Sequence, residues 1–365
     1  MKGRQIWKCT DSRLNKITLG MAVISCFMLY CFSDNIATLW NNGYINTPDM
    51  YDGYVDCGAM NTLFEIFKEI SCVWHLLFLV TIGLIVLCLF WDIRQDDTRE
   101  WMFSLPVTER VLFARAWLRG VLAYTIPWLL YTVGVLILRV RNLSWIQELY
   151  LLDVNWKKWM ELEQVGNYMK ILVLLWIWGT ACYSIFFFMQ IACRKNILAA
   201  LFGTGIICTP AYLGVEIAGG ILPLYSSMKI VKILGRVVGS WKDLVLFVLD
   251  DMYEATEVDS MFCSISCKIS WEKMAFAVLV IVVCLMLSRY YFCRINDQHV
   301  EGIFRIGWMR IPVLTGLGGC IGVGIFANLV LYHDLENGWL VLFGIAGFTL
   351  LFAVAAHNLM KRRGY

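Results

Sequence analysis

Eight runs of apolar residues, about 17 to 26 residues long, dominate this chain, and that is the length a helix needs to cross a bilayer. They fall at 17–33, 72–91, 117–138, 170–192, 198–223, 273–293, 311–332 and 338–359. Inside hydrocarbon a segment must satisfy its own backbone N–H and C=O groups, so such runs are read as α-helices. Hydrophobic residues make up 59% of the chain and charged residues only 16%, which excludes an ordinary soluble domain. The expected fold class is an all-α polytopic integral membrane protein of about eight spans. The first run is expected to be a span and not a secretory signal. No small-residue cleavage site follows it, and Ser33-Asp34-Asn35 leads into a polar stretch.

Orientation follows from the basic residues between the runs. With the N-terminus inside, most Lys and Arg fall in inward segments. The acidic residues show the reverse bias. Asp11, Asp92, Asp96, Asp97, Glu100, Glu109, Asp297 and Glu301 face inward, and nearly all the others face outward. Both termini are therefore expected in the cytoplasm. The net charge of +3 is the remainder of this split and does not point to nucleic acid. Residues 1–16 interleave basic and apolar positions around Trp7, which suits a short helix lying in the interface as well as a plain anchor. Trp145, Trp156 and Trp159 in the outward segment 139–169 suggest a helix skimming the outer leaflet. Residues 61–70 read as a short helix before the second span. Residues 224–272 carry apolar and basic positions at helical spacing, the pattern of an amphipathic surface helix.

Chemistry-bearing motifs are sparse. The chain holds no His-Glu-x-x-His, no Gly-x-Ser-x-Gly and no Gly-rich loop ending in Gly-Lys-Ser or Gly-Lys-Thr, so no catalytic role is expected of it. The four His (His75, His299, His333, His357) are scattered, and His75 and His357 suit hydrogen-bonding positions at span ends. Of the 14 Cys, many lie inside spans and behave as small hydrophobes. The Cys263–Cys267 spacing allows a local bridge, but free thiols are the simpler expectation and no His accompanies the pair to suggest zinc. No cofactor or metal is expected in this chain. Glu216 is the one carboxylate falling within a span, a functional candidate if it faces protein or water and unremarkable if the span ends before it. Gly318 and Gly322 in the seventh run permit close helix contact, by default within the chain.

The segment between the second and third spans stands apart. Residues 99–120 carry Arg99, Arg110, Arg115 and Arg119 on a scaffold that includes Trp101, Phe103, Leu105 and Phe113. A connector has no need of those apolar side chains, whereas a segment docking into a partner does; an ordinary interfacial helix fits as well. Pro106 and Thr108 suit a helix start, and Glu109 suits its positive end. A helix opening near Glu109 is expected to run on into the third span. The turn Phe103-Ser104-Leu105-Pro106 would then stand as an exposed knob.

The stretch Phe103-Ser104-Leu105-Pro106-Val107-Thr108-Glu109-Arg110-Val111-Leu112-Phe113-Ala114-Arg115 resembles the segment between spans two and three of ABC-2 type transporter permeases. In that family it forms the coupling helix seated in a cleft of the cytoplasmic ATPase. The resemblance covers the six-span part, residues 1–295, and residues 296–365 add a helix pair the family pattern lacks. It implies a permease subunit in a bacterial plasma membrane, paired with itself or a similar permease and with a separate cytoplasmic ABC ATPase that binds ATP and Mg. It further implies that Trp101, Phe103, Leu105, Pro106, Thr108, Glu109, Arg110, Phe113 and Arg115 make the motor contact, and that the cargo is an amphipathic peptide or lipid-like molecule, most simply exported. Two other readings of the residues stay open: a membrane sensor or regulatory subunit, and a secondary transporter, for which only Glu216 speaks.

Overall fold

The computed structural model describes residues 2–45, 63–93, 108–150, 160–161, 163–216, 271–292, 306–333 and 338–362. Among these, eight α-helices follow one another: α1 (Lys2–Ile45), α2 (Leu63–Ile93), α3 (Glu109–Tyr150), α4 (Val165–Ala192), α5 (Asn196–Glu216), α6 (Trp271–Phe292), α7 (Arg310–His333) and α8 (Gly338–Arg362). Each apolar run of the sequence falls on one of them. Five stretches are long and apolar enough to cross a membrane: Thr10–Thr38, Ile66–Trp91, Glu109–Glu148, Val165–Ala192 and Met274–Phe292. The described apolar stretches of α5, α7 and α8 are shorter (Asn196–Thr209, Ile311–Ile325, Gly344–Ala355). This is an all-helical, multi-pass membrane protein.

The side chains left outside support that assignment. Leu19, Val23, Phe27 and Tyr30 on α1 are exposed, as are Leu118, Leu122, Ile126, Leu129, Val133 and Ile137 on α3 and Leu279, Val283 and Met286 on α6. Continuous apolar faces of this length are untenable in water and ordinary against lipid. The helix at the centre is α4. Its second half, from Trp178 to Ala192, is buried on every face. A helix apolar all round needs a place with no solvent side, and α2, α3, α5 and α6 surround it.

Helix directions alternate. Trp74 of α2 meets Ser25 of α1, and Phe67 meets Phe32, so α1 and α2 run antiparallel. Between α1 and α3 the pairings Asp11–Arg119, Thr18–Ala123 and Trp40–Trp145 rise together, so those helices run parallel. We call the end where α1 and α3 begin basal and the other distal.

Two expectations need correcting. Residues 2–16 do not form a separate helix in the interface; they are the first turns of α1, which runs unbroken for 44 residues, about 66 Å. No Pro interrupts it, and its basal turns are held to α3 through Asp11. Likewise Trp145 does not sit on a helix skimming the outer leaflet. It lies on α3, which continues for 42 residues because Trp40 of an equally long α1 packs edge-on against it at 4.9 Å. The short helix expected at 61–70 is the opening of α2. The amphipathic stretch 224–272 falls almost wholly outside the described residues, as do Trp156, Trp159, Cys263, Cys267 and His299. His75, expected at a span edge, is fully buried on α2 beside Phe78. Among the described cysteines, Cys26, Cys31, Cys182, Cys208, Cys284 and Cys320 are free thiols.

The pair α7–α8 packs tightly on itself, as its glycines suggest. A Cβ at Gly318 would stand 3.1 Å from the Thr349 carbonyl, and one at Gly322 3.3 Å from Phe348. Small residues there let two backbones approach closely. Gly316 of α7 faces Thr209 of α5, which joins the pair to the remaining helices.

Candidate functional site: the α1–α3 seam and the segment that feeds it

Helix α3 opens where the sequence places its start. The carbonyl of Thr108 accepts from the N–H groups of Val111 (2.9 Å) and Leu112 (3.2 Å), and Glu109 occupies the first turn. A carboxylate there sits in the favourable field of the unpaired N–H groups. Thr108 and Arg110 are exposed, Glu109 is half-buried, and Arg115 is exposed. Trp101, Phe103, Leu105 and Pro106 lie outside the described residues. Phe113 is the exception within the set. It is buried, with its ring edge-on to Phe187 of α4 (5.8 Å) and Phe292 of α6 (5.6 Å). Phe113 thus anchors the first turns of α3 to the core, and the exposed surface near it is made by Thr108, Arg110, Val111, Ala114 and Arg115.

From this start α3 descends along α1 through a line of polar contacts. Arg119 donates through Nε to Asp11 Oδ1 (2.9 Å) and through Nη2 to Asn15 Oδ1 (2.7 Å). Both charged partners are about one-third exposed, 34% and 35%, so this basal tie is open to solvent.

Deeper in, α3 carries Pro127 in its middle. Proline has no N–H, so the carbonyl four residues earlier, Ala123, loses its helical donor. In hydrocarbon an orphan carbonyl costs several kcal/mol. Here the Thr18 hydroxyl of α1 donates to Ala123 O at 3.0 Å. Two turns on along α1, Ser25 accepts from the indole N–H of Trp74 (3.0 Å), donates to Met21 O (2.9 Å), and lies 3.4 Å from Pro127 O. The proline of one helix is thus made tolerable by hydroxyls of another.

The opposite face of α3 is knit to α2 and α4. Trp74 stacks between Tyr131 (4.5 Å) and Phe78 (4.7 Å), and Tyr131 shares a hydrogen bond with Ser71 (3.0 Å). Tyr124 donates to Thr180 (2.8 Å), Trp128 to Leu172 O (3.0 Å), and Tyr183 to Trp117 O (3.1 Å). That last contact needs Gly120, since any Cβ there would overlap the Tyr183 hydroxyl. What the arrangement can do is mechanical: a displacement along α3 reaches both α1 and α4 through direct side-chain contacts.

A residue set that sequence reading missed lies at the distal end. Arg139 of α3 and Glu163, on the turn before α4, are 5% and 1% exposed. Glu163 accepts from the backbone N–H of Phe64 (3.0 Å) and the Tyr168 hydroxyl (2.6 Å), and its carbonyl accepts from Arg139. Nothing local in the sequence signals that Glu163 caps a helix a hundred positions earlier. Glu216, by contrast, is the last described residue of α5, and its side chain lies outside the described residues. Among the described residues no group of three or more His, Cys, Asp and Glu is placed to hold a metal ion.

Compared with protein-family models, curated proteins and solved structures, the chain matches none of them.

Proposed function

We propose that this chain is the permease subunit of an ABC-2 type transporter, driven by a separate cytoplasmic ATPase and working as a homo- or heterodimer in a bacterial plasma membrane. In this reading eight helices cross the bilayer with both termini in the cytoplasm. Residues 1–295 form the transport domain, and 296–365 add a helix pair. The cargo class is amphipathic peptide or lipid-like, which the aromatic spans suit, and the proposed direction is export. ATP and Mg bind to the partner and not to this chain.

The observation that carries the reading is the continuity of α3. The segment resembling a coupling helix leads at Glu109 into a single 42-residue helix anchored by Phe113, tied to α1 at Ala123 and to α4 at Tyr124 and Tyr183. A force applied at residues 99–108 therefore has a rigid lever, which is what alternating access driven from outside the membrane requires. A sensor subunit would need the same docking segment without the need to move the span.

The test is purification of the tagged full-length chain from native membranes, beside Leu105→Asp and Arg110→Glu. Expected is an ATPase that copurifies with the parent protein and is lost with Leu105→Asp. Absence of any ATPase from the parent preparation would overturn the permease reading.

A further inference from the structure

The distal cluster is built unlike any other polar contact described in the molecule. Glu163 is held on a tight turn, in which Gln164 N–H donates to Glu161 O (3.4 Å) and Asn167 N–H to Gln164 O (2.9 Å). Asn167 Nδ2 also donates to Glu161 O (2.9 Å). From that turn the carboxylate reaches the first turn of α2, where Phe64 N–H is one of the amides a helix leaves unpaired. Its second oxygen takes the Tyr168 hydroxyl, and the Arg139 guanidinium lies 5.4 Å from the centre of the Tyr168 ring. One carboxylate, one guanidinium and one helix terminus thus join α2, α3 and α4 at one end.

Removing the Glu163 carboxylate takes a buried acceptor from the Phe64 amide and the Tyr168 hydroxyl, a penalty larger than the bond itself. With Glu163 and Arg139 both buried, water reaches these groups only as the distal ends of α2, α3 and α4 separate. The basal tie, Asp11–Arg119, has no such property because water already reaches both groups.

We propose that Arg139, Glu163 and Tyr168 form a latch that holds the distal end of the bundle shut, and that its release opens this end independently of the basal end. The latch rests on the transporter reading only for what drives its release; its existence can be tested without a partner.

The experiment is hydrogen–deuterium exchange on the full-length chain in lipid nanodiscs, comparing the parent with Glu163→Ala, Glu163→Gln and Arg139→Met. Losing a charge-assisted bond to a helix terminus raises local opening about tenfold or more. Expected for Glu163→Ala is such a rise over residues 63–70, with the peptides carrying Asp11 and Arg119 unchanged. Glu163→Gln, which keeps one acceptor, should give a smaller rise, and Arg139→Met a rise over 63–70 and the start of α4. Unchanged exchange at 63–70 in Glu163→Ala would overturn the latch. So would a uniform rise across both ends, which marks a general loss of stability. No ATPase is needed for any of these results, so the permease reading can fail in its own test while this one stands.

Discussion

The two ends of this bundle are fastened by opposite means. At the distal end Arg139 and Glu163 are buried and bound to main-chain groups, while at the basal end Arg119 and Asp11 share a bridge that water reaches. Buried polar contacts are stiff because breaking them leaves groups that water does not reach, and an exposed ion pair yields because solvent replaces it. Under the permease proposal this contrast gives a compliant tie at the end where a partner would dock and a buried joint at the end that would open. Between them the α1–α3 seam spans the full depth. From Asp11 to Trp40 the helix rises about 43 Å, close to a bilayer with its headgroup layers. A charged tie then marks one interface and a tryptophan pair the other, as interfacial residues do.

The contrast is broken most directly at Glu163. Glu163→Ala removes the buried acceptor used by the Phe64 amide and the Tyr168 hydroxyl while leaving the carbonyl that Arg139 binds, and should cost about 2–4 kcal/mol, read as a lowered thermal midpoint in detergent. A loss below about 1 kcal/mol would make the two ends equivalent. Next in size is Gly318→Val, which drives a side chain into the Thr349 carbonyl and Phe352 of α8; about 1–3 kcal/mol is expected, confined to the α7–α8 pair in exchange data. Thr18→Val keeps the shape but removes the donor to Ala123 O, for about 1–2 kcal/mol. Adding Pro127→Ala, which restores the helical N–H, should recover most of that loss; failure to recover would remove Pro127 from the explanation. The smallest effect belongs to Asp11→Ala. It should change stability by at most about 1 kcal/mol, and the difference should shrink further at high salt.

What was legible in the sequence follows from what is local. Apolar runs long enough to cross a bilayer each gave a helix, and the Thr108-Glu109 start of α3 and the close packing around Gly318 and Gly322 were readable from a few neighbouring residues. The extents of α1 and α3 were not, because each helix is prolonged past the bilayer by contacts with the other, Asp11 with Arg119 and Trp40 with Trp145. The role of Phe113 has a local signal. Phe113, Ala116, Gly120, Ala123, Pro127, Tyr131 and Val135 recur at three- and four-residue steps and are the inner face of α3. That periodicity, and not the segment before it, places Phe113 in the core. Glu163 and Thr18 offered no signal at all. Their partners lie 99 and 105 positions away, and only the packed bundle brings them together.

The most direct test is contact mapping in native membranes, with a photo-crosslinking residue placed at Leu105 and, as control, at the lipid-facing Phe27 of α1. Expected is a covalent product with an ATP-binding protein from position 105 and none from position 27. A chain that gives no such product from position 105, or gives it equally from both, is not driven through residues 99–115.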